Sequence, residues 1–417
     1  MLQRFGKQLT VAIVGAGPIG LSAAINFYKL GFDVKCYEKR GFGGEEGFAE
    51  RPQPFSLQRQ SYAFLQHVGL SANSLLKSFG YSLSPSTIDR SGNRTAAEFL
   101  TLASPLMKEA KKDCIGKSAV DYLPQSMSIT VQSVQRLLAE VIFGHINTLD
   151  KDQLTVQCYA DFLESTVDEN GRHILTIKTK TGREYVSPDV IYNASAGRVN
   201  EILGFETKKI ATYYGMGAFF QRPSKPSHET IKELSRAVRV FCSFDNEQPI
   251  YCNMELNQDE YEKMEDFDIS KEPLTSRDEI LAKKIVEGKL PGVISQMMRD
   301  IGLSSPYKAF RVPVDLQHAK QAALSSPKKD NEIVPQLIFC GGDSVLKPHF
   351  ITASGANFGL LGLSELDRLL KEWLRDEVTS TQVIDEYNSM CNLLQKQSNQ
   401  VILELFSRDL VKSRNGK

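Results

Sequence analysis

Two glycine-rich patterns, one at each end of the chain, contain the residues best suited to chemistry. Gly15-Ala16-Gly17-Pro18-Ile19-Gly20 spells G-x-G-x-x-G, and Glu38 follows Gly15 by 23 residues. In this pattern Gly15 permits a tight turn, Gly17 lets the backbone approach a pyrophosphate, and Gly20 lets a helix pack closely on a strand. A helix beginning at Pro18 and Ile19 presents unpaired N–H groups and a positive dipole end to phosphates. Glu38 is placed to accept hydrogen bonds from adenosine ribose hydroxyls. A glycine triplet alone is a weak signal; a strand before it, a helix after it and an acid ending the next strand make it a dinucleotide fingerprint.

The fingerprint does not separate NAD from FAD. A second pattern, more than 300 residues on, favours the flavin: CGGDSVLKPHFITASGANFGLLGLSEL over 340–366. Gly342-Asp343 stands at a strand end, Pro348 follows, and Ser354-Gly355-Ala356-Asn357 opens a helix. An aspartate there can bind a ribityl hydroxyl, and the helix N-terminus opened by Gly355 can hold negative charge on a reduced flavin ring. Taken alone, Asp343 would read as a turn or N-cap residue.

The elements that must position these residues are legible. TVAIVGA (10–16) is a short apolar run ending in glycine, as expected of a strand buried on both faces of a parallel sheet. PIGLSAAINFYKL (18–30) has helical spacing, Gly31 stops it, and DVKCYEK (33–39) is the next strand. The spacing predicts helices over 61–70 and 129–142, antiparallel strands over roughly 154–194, and strands in TYYGMGAFFQ, VRVFCSF and PIYCNMEL. The aromatics of those later runs are what buried strands ordinarily contain. After PQLIFCGGDS comes a long helix, and 376–417 is helical.

Composition narrows the function classes. Fifty Lys and Arg against fifty Asp and Glu leave no net charge, which argues against nucleic acid as a partner. No apolar run reaches the ~20 residues of a membrane span. The start, MLQRFGKQLTVAIVGAGPIG, runs directly into the glycine turn and does not read as a signal peptide. Seven scattered cysteines without a C-x-x-C pair, and six histidines without ligand spacing, point to reduced thiols, a cytoplasmic location and no metal.

Together, GAGPIG with Glu38 and GGDS…Pro348…SGANFG resemble the single-component FAD monooxygenases of the para-hydroxybenzoate hydroxylase fold. Within that fold four stretches look most like the MICAL monooxygenase domain: VGAGPIGLSAAI with YEKR, Arg51-x-Gln53 placed 18 residues before Gly69, ITVQSVQRLL, and GGDSVLKPHF…SGANFG. The resemblance implies an α/β fold: a Rossmann-like FAD-binding domain (1–85, 125–200 and 335–375), an inserted mixed-sheet substrate-side domain (86–124 and 201–334) and a helical C-terminal segment (376–417). It implies that Gly15, Gly17, Pro18, Ile19, Gly20, Glu38 and Lys39 hold the ADP half of FAD. Arg40, Arg51 and Gln53 would touch phosphate, ribityl or ring, and Asp343, Gly355 and Asn357 the ribityl chain and flavin. Arg40 reads equally as a solvated charge, and Arg51 and Gln53 also read as ordinary loop residues.

The implied reaction is that of a flavin reduced by NADPH or NADH, which activates O2 as a C4a-hydroperoxide and hydroxylates or S-oxidises a small molecule or protein side chain. Departures qualify this. Ser195-Ala196-Gly197 replaces the family's Ala-Asp-Gly, whose aspartate supports the reductive half-reaction. Val131 replaces an arginine, with Gln132 offering an amide instead, and Ile351 replaces a proline beside His349 and Phe350. Two alternatives stay open: an FAD oxidase or reductase on the same scaffold, and a binding scaffold without turnover, for which the apolar positions of 383–406 could dock a partner.

Overall fold

The computed structural model describes residues 7–41, 54–83, 127–146, 153–221, 239–243, 250–263, 284, 308–326, 335–347 and 355–415. Strand β1 (Thr10–Val14) leads through the glycine turn into helix α1 (Pro18–Lys29), and Gly31 ends that helix before strand β2 (Asp33–Glu38). The apolar run of β1 is a central strand, with Val11, Ala12, Ile13 and Val14 all buried. It pairs in parallel with β2 on one side and with strand Val190–Asn193 on the other. The six-stranded sheet reads Ala323–Ser325, Leu337–Cys340, Val190–Asn193, β1, β2, Leu154–Cys158. Only the edge strand Ala323–Ser325 is antiparallel. The C-terminal ends of five strands therefore open on one edge, where ligands of open α/β sheets bind.

Helix α1 packs between the sheet and the helices Val131–Val141 and Gly355–Leu374. Its Ala23 and Ala24 are buried, and Phe27 meets Tyr192 edge-to-face at 5.9 Å. The sequence reading begins the second helix at 129; the structure makes Met127–Thr130 a strand and starts the helix at Val131. The reason is a cap: Thr130 Oγ1 accepts the Ser133 N–H at 3.1 Å, which holds Thr130 in an extended conformation.

A second, eight-stranded sheet is built around the long strands Thr207–Phe220 and Lys308–Ala319, paired antiparallel. Strands Pro54–Ser56, Phe79–Leu83 and Met127–Thr130 join it. A three-stranded meander, Asp161–Val167, His173–Thr179 and Gly182–Val186, precedes Val190–Asn193.

The C-terminal helix Ser380–Asn415 covers the sheet edge at Ala323–Ser325. Val383, Tyr387 and Cys391 are buried on it, Tyr387 Oη donates to the Cys340 carbonyl at 2.8 Å, and Asn388 Oδ1 accepts from Ala322 and Ala323 N–H. These contacts use the groups a bare edge would leave unpaired. Among the described residues no helix is long and apolar enough to cross a membrane.

Candidate functional site

The three fingerprint glycines stand in three different surroundings. Gly15 has φ +99°, and a Cβ there would lie 2.7 Å from the Ala194 carbonyl oxygen. A Cβ on Gly20 would lie 1.8 Å from the Gly15 carbonyl oxygen, so helix and turn touch backbone to backbone. A Cβ on Gly17 would meet nothing within 4 Å. Gly17 is also the N-cap of α1, where helical N–H groups lack intrahelical partners. The one glycine that packing does not require thus borders open space at a helix N-terminus.

The loop is pinned at Ala16 from two sides. Its N–H donates to Glu38 Oε2 at 2.8 Å, and its carbonyl accepts from Gln135 Nε2 at 2.8 Å. Glu38 Oε1 accepts from the Arg40 N–H at 3.1 Å and from Arg40 Nε at 2.9 Å. Burial would raise the Glu38 pKa, but the bonds from Arg40 and Ala16 outweigh it and hold the carboxyl below its usual range. An ionised carboxylate therefore ends β2, both of its oxygens already accepting from the chain. Arg40 is its partner, and Lys39 turns away to pair with Asp161 at 3.2 Å.

Strand Leu337–Cys340 brings the second pattern to the same edge. Gly342 has φ +58°, and a Cβ there would approach Ile19 Cγ1 at 3.0 Å. A Cβ on Gly359 would meet Ile19 Cδ1 at 2.7 Å and Gly342 Cα at 3.0 Å. Ile19 is thus wedged between two glycines that lie more than 300 residues further along the chain. Asp343 is exposed on the turn beside this wedge. Beneath it runs a buried polar network. Asn193 Oδ1 accepts from Ser195 Oγ and Asn193 Nδ2 donates to Asn200 Oδ1, both at 2.7 Å. Asn200 Nδ2 donates to the Ser344 carbonyl, and Ser344 Oγ accepts from the Gly197 N–H. The network ties turn 195–197 to turn 342–344 and supports Ala196, exposed with φ +59°.

Gly355 begins the helix Gly355–Leu374, and Asn357 is buried in its first turn, where Oδ1 accepts the Gln58 N–H at 3.0 Å. That bond fastens the helix start to the segment following Arg51 and Gln53. Arg51, Gln53, Pro348, His349, Phe350, Ile351 and Ser354 lie outside the described residues. Gln132 sits half-buried in the first turn of Val131–Val141, one turn before Gln135, which reaches the loop. Sequence reasoning missed Gln135; its only signal was a polar residue between Val134, Leu137 and Leu138 on an apolar helix face.

No family model and no curated protein matches the chain. Solved structures do match in fold. CmlS, a flavin-dependent halogenase, superposes with a TM-score of 0.62 at 11% identity over 94% of this chain, which spans 62% of the halogenase. p-Nitrophenol 4-monooxygenase PnpA from Pseudomonas putida DLL-E4 gives a TM-score of 0.62 at 12% identity, over 96% of this chain and 89% of that one. PqsL, a probable FAD-dependent monooxygenase from Pseudomonas aeruginosa, gives 0.55 at 14% identity, over 94% of each. The chain has the fold of these three enzymes.

Proposed function

We propose that this chain is an FAD-dependent monooxygenase. The observation that carries the reading is the Ile19 wedge, which brings the pyrophosphate fingerprint and the Gly342–Asp343 turn together at one edge of the sheet, beside the open flank of Gly17. These residues fit FAD: the Gly15–Gly20 loop and the α1 N-terminus would hold the pyrophosphate, Glu38 the ribose, and Asp343 the ribityl chain. FAD, when bound, supplies a two-electron acceptor and a means of activating O2. The protein's part is to bind it, orient it and exclude water. NADPH or NADH is the proposed reductant, and the substrate class is a small molecule or protein side chain open to hydroxylation or S-oxidation. The MICAL-like stretches support the protein side chain. An absorbance spectrum of the purified protein, followed by anaerobic NADPH and NADH, tests this. We expect flavin bands that bleach and then recover with O2; a colourless protein that takes up no added FAD overturns it.

A second reading, an FAD protein that takes no hydride from nicotinamide, is favoured by one observation. Ala196 occupies an exposed left-handed position beside the Asp343 turn and offers no carboxylate there. Flavin bands that persist under NADPH and NADH would select it.

A further inference from the structure

We infer that Gln135 is a positioning residue that sets which way the Ala16–Gly17 peptide faces, and so whether the loop presents a donor or an acceptor to a diphosphate. The inference rests on the cofactor reading above and deepens it.

Gln135 is 3% exposed and reaches the loop across 119 residues of sequence, with Nε2 2.8 Å from the Ala16 oxygen. The Ala16 carbonyl and the Gly17 N–H belong to one planar trans peptide and point in opposite directions. Holding the oxygen against helix Val131–Val141 therefore turns the Gly17 N–H to the other side. Glu38 fixes the preceding peptide through the Ala16 N–H, so two side chains from two elements set the two planes that meet at Ala16. The lock is needed because of Gly17 itself. A residue without Cβ, with nothing within 4 Å of the place a Cβ would take, lets the peptide before it rotate with little steric resistance. A rotated peptide would present a carbonyl oxygen to an anion. The glycine that makes room for phosphate thus makes the loop liable to face it wrongly, and Gln135 opposes that rotation.

The test is titration of the apoprotein with ADP and, separately, with FAD, for wild type and Gln135→Met, a side chain of similar length without a donor. We expect both ligands to weaken by the same factor, about tenfold, equivalent to ~1.4 kcal/mol. Gln135→Glu adds a readout that a packing role would not move. Its ionised carboxylate repels the Ala16 carbonyl, whereas its protonated form donates to it, so ADP affinity recovers as pH falls. This variant also carries the comparison should Gln135→Met not fold. Wild type that binds ADP and FAD, with Gln135→Met binding both equally well, overturns the inference and leaves the cofactor reading standing. Wild type that binds neither overturns the cofactor reading and the inference with it.

Discussion

Glu38 and Asp189 are buried carboxylates at opposite edges of the same parallel sheet, 4% and 3% exposed. Glu38 ends β2 at the C-terminal edge; Asp189 precedes Val190 at the N-terminal edge. Each accepts a backbone N–H, from Ala16 and Thr10 respectively, and each pairs with basic side chains: Arg40 for Glu38, Lys7 and Arg172 for Asp189. Each is held below the ordinary carboxylate range against the opposing pull of burial. In the direction of the shift and the kinds of cause behind it the two are alike. They differ in what lies beside them: Asp189 is enclosed by Lys7, Thr10 and Arg172, whereas the loop that Glu38 pins borders the open flank of Gly17. A shifted carboxylate marks a site only where there is room next to it for something to bind.

Exchanging the two carboxylates for amides should separate these roles. Asp189→Asn leaves Arg172 and Lys7 short of their counter-charge where three strands begin, and should cost about 3 kcal/mol in urea denaturation. ADP affinity of the protein that remains folded should be unchanged. Glu38→Gln should cost only ~1 kcal/mol, since its single cation, Arg40, is 40% exposed and stays solvated whereas Arg172 is 15% exposed, yet weaken ADP binding. If both variants lost stability and affinity in the same proportion, the contrast between the two edges would fail.

The glycines repeat the contrast within six residues. Gly20→Ala drives a Cβ to 1.8 Å from the Gly15 carbonyl oxygen and should destabilise by about 1–3 kcal/mol or more. Gly17→Ala meets nothing, and with φ −66° at Gly17 the backbone already suits alanine. Apoprotein stability should hold or rise by ~0.5 kcal/mol while FAD uptake falls. Thermal denaturation with and without FAD reads both effects: Gly17→Ala should lose the shift that FAD gives.

How much of this the sequence could reveal depends on distance along the chain. The turn at Gly15, the start of α1 at Pro18 and the acid at Glu38 are local consequences of apolar runs broken by glycine, and they stand where the spacing predicts. Gln135 and Asp189 are no less important, but their meaning lies in partners 119 and 179 residues away. Nothing near either residue says which backbone it will meet. Ile19 is an intermediate case. The fingerprint marks its position, but its contact with Gly342 and Gly359 exists only once the strand order places Leu337–Cys340 two strands from β1. The strand Met127–Thr130, where the spacing reads a helix from 129, is a related case: the Thr130 cap is local, but the strand pairs with the distant Phe79–Leu83 and Pro54–Ser56.

Acid separates histidines from carboxylates, with smaller effects. His67, His173 and His318 are all held below the ordinary imidazole value, chiefly by burial. For His67, Lys371 and Lys29 reinforce the shift and Asp367 opposes it. A base with a lowered folded pKa is penalised when protonated. Its contribution is therefore intact above the unfolded value of about 6.5 and is lost as pH falls through the folded value. Glu38 and Asp189 keep their contribution until pH falls below about 4, towards their own folded values. The urea midpoint should therefore decline in two stages, the histidine stage first. Glu38→Gln and Asp189→Asn should each diminish only the lower one.

Backbone strain gives the smallest test of the contrast. Of the non-glycine residues with positive φ among those described, Tyr159 and Ala196 follow strand ends at the C-terminal edge, while Asp376 lies in the turn between the last two helices. Alanine is disfavoured by about 1 kcal/mol or more in the left-handed region. Ala196→Gly removes that cost but adds freedom to the unfolded chain, so the net gain should be about 0.5 kcal/mol by urea denaturation. The strain at Ala196 is imposed by the polar network beneath it, where the Gly197 N–H is held by Ser344 and the Val199 N–H by Ser195. Ser344→Ala should therefore erase the advantage of Ala196→Gly, because a turn released from Ser344 can relax alanine out of the left-handed region. A gain that persisted undiminished in the double variant would mean that the turn holds its own geometry, and that the network serves the neighbouring Asp343 turn alone.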